Sequence, residues 1–287
     1  MKVQTLSVIA GSKACNARCP FCVAKMTPSQ GITLEQPEVN WRNLRKAAIF
    51  AKQSDVSTVL ITGKGEPTLF PQQITDYLEA LSEFDFPFIE IQTNGLTLAE
   101  NNEQYLKQWY DLGLSTVAIS ISHYDPEKNK QVYTPDRPYM NLPNLINKLH
   151  ETGLSVRLTC VALNGFIDSA SELESIVGFA QENNVEQLTI SPVNKPNESK
   201  SLDIYDWATE HALKSNQLQD ISNYLSEKGT RLLELPHGAV VYDVDGQNVC
   251  LNNCLTRTTD SENIRQLIFF PDGHLRYDWE YQGAILL

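Results

Sequence analysis

The chain has 287 residues, with 35 Asp and Glu against 23 Lys and Arg and a formal net charge of −12. So acidic a composition argues against a general grip on nucleic-acid backbones or anionic membranes, which needs a basic stripe. No run of about 18 apolar residues occurs and no basic segment precedes an apolar one near the start, so a membrane span and a signal peptide are disfavoured, and the expected compartment is the cytoplasm.

The first expected strand, residues 6–10, leads into CNARCPFC, which sets Cys15, Cys19 and Cys22 on one short loop. Iron–sulfur cubes are normally held by four thiolates, so three close together leave one iron open to another ligand. Zinc loops favour paired C-x2-C knuckles or His partners, and neither stands beside this run. Reduced structural thiols are the remaining plain reading. Six cysteines in a chain this long are too few for a disulfide scaffold and suit a reducing compartment.

Strand patterns then recur at residues 58–62, 88–92, 116–121, 155–161 and 187–191. Amphipathic helical patterns fall between them at about 39–53, 72–84, 99–112, 142–152 and 169–183, several ending at glycine or asparagine such as Gly113, Gly153 and Asn184. Repeated βα units make a parallel α/β sheet, and six of them form an open, partial (β/α)6 TIM-like barrel whose strand C-termini converge on one mouth. A polar loop at 192–201 and a long helix at about 204–228 follow. Two hairpins close the chain, 239–243 with 248–251 around VDGQ and 266–270 with 274–277 around PDG. The expected division is a barrel over 1–195 and a small α+β cap over 196–287.

The spacing of the three cysteines resembles the signature of the radical S-adenosylmethionine (radical SAM) superfamily. The resemblance implies a [4Fe–4S] cluster on Cys15, Cys19 and Cys22 whose open iron chelates the amine and carboxylate of SAM. An electron from an external donor such as flavodoxin or ferredoxin then cleaves SAM to a 5′-deoxyadenosyl radical that abstracts hydrogen from substrate. Phe21 matches the aromatic residue that lies near the adenine in that family.

Later strand ends extend the resemblance in order. Gly65, Glu66 and Pro67 in TGKGEPTL resemble the Gly-Glu-Pro that contacts the SAM amine, although such a tripeptide is also an ordinary strand-to-helix turn. Thr93, Asn94 and Gly95 are similar to the Thr-Asn-Gly of relatives of the molybdenum-cofactor GTP cyclases and of peptide-modifying maturases; Asn-Gly is otherwise a common turn. Ser120 and Ser122, two residues apart, share one face of a strand. The resemblance sets Ser120 against the SAM ribose or carboxylate with Ser122 beside it, and small residues filling a barrel layer are the alternative. Arg157 resembles the basic residue that pairs with the SAM carboxylate in some members, and a salt bridge to a neighbouring strand is its structural alternative. Thr159 shares its face, and Cys160 has the opposite one.

His123, Tyr124 and Asp125 follow the fourth strand at the expected mouth, and Lys128, Lys130 and Arg137 lie in the loop beyond, either as substrate contacts or as solvated charge. Lys13, Arg18 and Lys25 flank the cysteine loop as anion-binding or plain surface charge. In the tail, Cys250 and Cys254 are two cysteines where the GTP cyclases use three. An auxiliary cluster there needs a further ligand such as His237, His274, Asp278 or Cys160; structural thiols or a reactive pair are the alternatives. The cyclases' glycine-rich C-terminal tail is also not matched by YQGAILL. The resulting expectation is a radical SAM enzyme acting on a small molecule, a nucleotide or cofactor precursor among the candidates. A peptide-modifying maturase is the alternative, although the first strand begins almost at Met1, where maturases often carry a peptide-binding domain. A non-enzymatic iron–sulfur carrier or regulator is the third class.

Overall fold

The computed structural model of the chain describes residues 2–100, 102–196, 198–199, 201–235, 237–252 and 263–287. Six parallel strands form its centre: β1 (Lys2–Ile9), β2 (Thr58–Thr62), β3 (Phe88–Thr93), β4 (Thr116–Ile121), β5 (Ser155–Ala162) and β6 (Gln187–Pro192). Between and after them run α1 (Val23–Met26), α2 (Trp41–Gln53), α3 (Pro71–Ser82), α4 (Glu103–Asp111), α5 (Pro126–Tyr133), α6 (Leu142–Thr152), α7 (Ala170–Glu182), α8 (Leu202–Glu210) and α9 (Ser215–Lys228). This is the expected α/β partial barrel, open rather than closed on itself.

Each strand presents two chemically different faces. Val59, Ile61, Ile89, Ile91, Val117 and Ile119 point outward and are buried with Leu44, Ile74, Leu78, Leu106 and Trp109 of the helices. At about 1.5–3 kcal/mol per buried aliphatic or aromatic side chain, this outer interface supplies most of the stabilisation. Its polar ends are satisfied: Tyr77 Oη donates to the Ile9 carbonyl at 3.1 Å, and Trp109 Nε1 to Thr75 Oγ1 at 2.9 Å. On the inner face, Thr62, Gln92, Ser120, Arg157 and Thr159 remain half-buried. From β2 to β5 the inner face is therefore largely polar, while Ile9 of β1 joins Ile32, Ile268 and Phe270 in a separate apolar cluster.

The tail adds strands at both free edges. β9 (Gln247–Leu251) pairs in parallel with β6 and carries β8 (Val240–Val244) and β7 (Thr230–Glu234) beyond it. β10 (Asn263–Phe269) pairs in parallel with β1 and carries β11 (Leu275–Arg276). One sheet thus runs on across residue 195. The VDGQ turn forms as its residues dictate, with Asp245 at φ +50° and Gly246 at +87°, the left-handed pair of a tight hairpin.

Three elements depart from expectation. α5 lies where a loop is expected; it has no strong apolar stripe, yet Asp125 caps it by accepting from Glu127 N and Pro126 opens it. The single helix expected over 204–228 is two, because the chain breaks after α8 and the His211 carbonyl accepts from Asn164 N at 2.9 Å. β7 is the third; all five of its residues are exposed, which leaves no inward-outward alternation to read.

Candidate active site

The cysteine loop crosses the C-terminal ends of the strands and is tied down along its length. Lys13 N donates to Thr33 O at 2.7 Å, Glu66 N to Ala14 O at 2.9 Å, Asp136 N to Asn16 O at 3.2 Å and Arg18 N to Tyr133 O at 2.9 Å. Arg18 adds an ion pair to Asp136 at 2.6 Å. The β2 turn sits so close that a Cβ on Gly65 would lie 2.1 Å from Ala14 O and 2.7 Å from Ser12 O. Only glycine fits there. The Gly-Glu-Pro turn and the cysteine loop are therefore one packed unit, which the spacing in sequence does not disclose.

Glu66 joins the β2 end to the β3 end. Its Oε1 accepts from Thr68 N at 3.0 Å, Thr68 Oγ1 at 2.7 Å and Thr93 Oγ1 at 2.7 Å, and its Oε2 from Asn94 N at 2.9 Å. Burial pushes this carboxyl upward while those donors hold it down. The Glu66 carboxylate is thus already surrounded by four donors, so of the carbonyl and carboxylate acceptors expected at this turn the side chain is the one engaged within the fold. Asn94 continues the bridge, donating through Nδ2 to Asn16 Oδ1 at 2.8 Å and toward Cys15 Sγ at 3.9 Å. The motif residues Gly65, Glu66, Pro67, Thr93 and Asn94 thus gather around the thiols.

Burial and the neighbouring sulfurs push the Cys15 thiol up to about 11 and Cys19 up to about 12, with Lys25 acting the other way. Each thiolate charge disfavours ionisation of its neighbours until a cation neutralises them, so metal uptake at this loop displaces protons. Phe21 packs edge-on to Tyr133 with ring centres 5.7 Å apart and lies 6.3 Å from Trp207 of α8. Tyr133 Oη in turn meets Ser120 Oγ at 2.8 Å. The Ser122 hydroxyl is fully buried with no hydrogen-bond partner.

Arg157 makes the interstrand salt bridge that is its structural alternative. It pairs with Glu90 of β3 and lies alongside Ala118 and Gln187, two residues below the level of Ser120 and Thr159. The structural salt bridge accounts for its charge, though its Nε is left without a partner. His123 is buried, accepts at Nδ1 from Asp125 N at 2.9 Å, and holds Nε2 3.1 Å from Glu172 Oε2 and 3.0 Å from Lys128 Nζ. Lys128, Lys130 and Arg137 are each engaged by a glutamate, Glu172, Glu127 and Glu100 respectively. Sequence reasoning missed Asn16, Tyr133 and Trp207; the Asp-Pro start of α5 is the signal that leads to Tyr133.

In the tail, Cys250 lies level with Thr189 of β6, whereas Cys160 is buried in the outer core among the helices. His237 is tied to Gln4 and His274 to Asp272, while Asp278 accepts from Glu280 N and Tyr281 N. Cys254 lies outside the described residues.

An open α/β barrel whose rim carries three thiols, packed against a glycine turn that leaves room for nothing larger, defines a class of barrel proteins built to hold a group at the strand ends. The profile of the radical SAM superfamily matches residues 9–180, and the chain belongs to that superfamily. Over 184 residues, 64% of this chain and 57% of the relative, it is 30% identical to a probable GTP 3′,8-cyclase of Archaeoglobus fulgidus. It is 26% identical over 171 residues, 58% of the chain and 51% of the relative, to a 4-hydroxyphenylacetate decarboxylase activating enzyme of Clostridioides difficile. The chain spans little more than half the length of these curated relatives. The crystal structure of Streptococcus suis SuiB bound to S-adenosylmethionine shares the fold, with a TM-score of 0.66 and 16% identity, covering 99% of this chain and 62% of SuiB. Membership of the superfamily implies SAM and a [4Fe–4S] cluster, and no helix among the described residues is long and apolar enough to cross a membrane.

Proposed function

We propose that the chain is a radical SAM enzyme in which Cys15, Cys19 and Cys22 hold the cluster and the rim of the barrel holds SAM. The donor set and the cradle fit that group: three thiols on one loop, with Gly65 leaving no space for a side chain between the turn and the backbone of residues 12–14. When bound, the cluster and SAM supply a 5′-deoxyadenosyl radical for hydrogen abstraction. The residues of the chain position and enclose it. Backbone at Gly65 and Glu66 faces the methionyl end, Asn94 orients the loop at Cys15, and Ser120 and Ser122 serve the ribose side. Phe21, packed edge-on to Tyr133 and tilted against Trp207, forms the apolar wall for the adenine.

The substrate in this reading is a polar small molecule, supported by the half-buried, hydrogen-bonding lumen of Thr62, Gln92, Arg157 and Thr159. Residues 1–195 carry the cofactors and 196–287 complete the wall, α8 through Trp207 and the edge strands through β9 and β10. The electron comes from an external donor of the flavodoxin or ferredoxin kind. The test is anaerobic reconstitution followed by reduction with SAM present: about four irons per chain and release of 5′-deoxyadenosine are expected. Loss of any one of the three cysteines abolishes that release. Undiminished release from a Cys19→Ala chain sinks the mechanism, and a requirement for peptide rather than small-molecule additives in substrate turnover overturns the substrate class.

A further inference from the structure

Lys64, in the β2 turn TGKGEP, is a buried cation that none of the roles above uses. It is 6% exposed and donates from Nζ to Thr27 Oγ1 at 2.9 Å, while that hydroxyl donates to Val23 O at 2.9 Å. Its ammonium lies 5.1 Å from the ring centre of Trp279, which is held in place by Nε1 donating to Gln266 Oε1 at 2.9 Å. Among the described residues no carboxylate pairs with it. Burial lowers its pKa to about 8, Cys22 acts in favour of the ammonium form, and Lys13 opposes it. A hydroxyl and an indole face do not balance a buried ammonium, which costs several kcal/mol unless an anion is close.

The direction in which that anion lies follows from the fold. Thr27 ends α1, and Cys22 caps the start of the same four-residue helix. Lys64 is thus held by the segment that carries the third thiol. We propose that Lys64 is the counter-charge of the cluster held by Cys15, Cys19 and Cys22, and that it raises the cluster's reduction potential. This rests on the cluster reading above. Reduction adds one electron from a one-electron donor and breaks no bond, so the site gains one negative charge. A fixed positive charge nearby stabilises the reduced form more than the oxidised one.

Other cations near the loop are poorer agents. Lys13 and Lys25 are exposed, and Arg18 is committed to Asp136. At equal distance a charge acting through an effective dielectric constant of about 20 has about four times the effect of one acting through water. Lys64 is the one of these four that is buried. Trp279 gives the tail a part in this: its ring covers the ammonium and keeps water from screening it.

The experiment is a potentiometric titration with dithionite, followed by electron paramagnetic resonance, on reconstituted wild-type, Lys64→Met and Lys64→Arg chains without and with SAM. In Lys64→Met the ratio of reduced to oxidised cluster at fixed poise is expected to fall about tenfold without SAM, about 59 mV for a one-electron couple, while Lys64→Arg stays near wild type. An unmoved potential in Lys64→Met overturns the proposal, and a loss confined to SAM affinity assigns the lysine to the SAM carboxylate instead. If Lys64→Met and Lys64→Gln both fail to retain iron while Lys64→Arg retains it, the charge is needed to hold the cluster and the proposal stands; failure of all three points to shape and overturns it. A wild-type chain that takes up no iron overturns the cluster reading itself, an outcome distinct from the rest.

Discussion

The rim of the barrel falls into two halves that treat polar groups in opposite ways. At the ends of β1 to β3, Glu66, Thr93, Asn94 and Asn16 are bound to one another and to the cysteine loop. Across the mouth, at the ends of β4 and β6, the hydroxyls of Ser122 and Ser191 are buried with no partner. A buried hydroxyl without a hydrogen bond costs about 1–3 kcal/mol, so a fold retains such groups where something else satisfies them. The first half is rigid scaffold for the thiols. The second half has hydrogen-bonding capacity to spare for a ligand, and the proposed division, cluster on one side and the organic part of SAM on the other, follows from that difference.

The strongest way to break the comparison is to disturb the scaffold half at its tightest point. Gly65→Ala places a methyl group 2.1 Å from Ala14 O, where backbone rather than a flexible side chain must give way. We expect a loss of about 4 kcal/mol in chemical denaturation together with failure to retain iron, while far-ultraviolet circular dichroism stays native because the outer core is untouched. Full iron retention in that variant shows that the turn and the loop are not one unit.

The contrast also explains what was legible in the sequence. Outer-face periodicity is strong because Val, Ile and Leu alternate with smaller polar residues, and all six central strands are visible from it. The thiols, Gly65 and Asn94 carry local signatures and stand together as expected. What could not be read was partnership. Glu66 and Arg157 look like free charges in one dimension, yet each is taken by groups on a different strand, Thr93 and Asn94 for the first and Glu90 for the second. His123 follows a strand end and so invites a substrate contact, yet it is buried beside Glu172 of α7. Lys64 lies in the middle of the most suggestive turn in the chain and gave no sign of being buried, since Trp279, its cover, is more than 200 residues away.

A second pair of substitutions sets the halves directly against each other. Glu66→Gln keeps the shape but turns an –NH2 group toward donors that expect oxygen, and is expected to cost about 3 kcal/mol. Ser122→Ala removes a hydroxyl that bonds to nothing, so it is expected to leave stability within about 1 kcal/mol of wild type, on the stabilising side. Its effect is reserved for ligand: SAM affinity measured by calorimetry on the reconstituted protein falls severalfold. Equal destabilisation by the two substitutions removes the distinction between the halves.

The smallest effect concerns the support beneath the second half. Burial lowers the proton affinity of His123, the Lys128 charge adds to this, and Glu172 and Asp125 act in the opposite sense with less weight. Asn129 fixes the turn by accepting from Ser122 N at 2.8 Å and His123 N at 3.0 Å, and the buried imidazole accepts at Nδ1 from Asp125 N. Because the folded form holds its proton less tightly than the unfolded chain, both are neutral above the ordinary histidine value of about 6.5 and the linkage is silent there. Below it the unfolded chain gains a proton that the folded one refuses, and stability falls as pH drops, by no more than about 1.4 kcal/mol per pH unit. His123→Asn preserves an acceptor for Asp125 N but cannot titrate. Its stability deficit relative to wild type is therefore expected to shrink between pH 7 and pH 5, whereas a deficit that stays constant or widens means that the imidazole is charged in the folded protein and that this turn is held by an ion pair with Glu172.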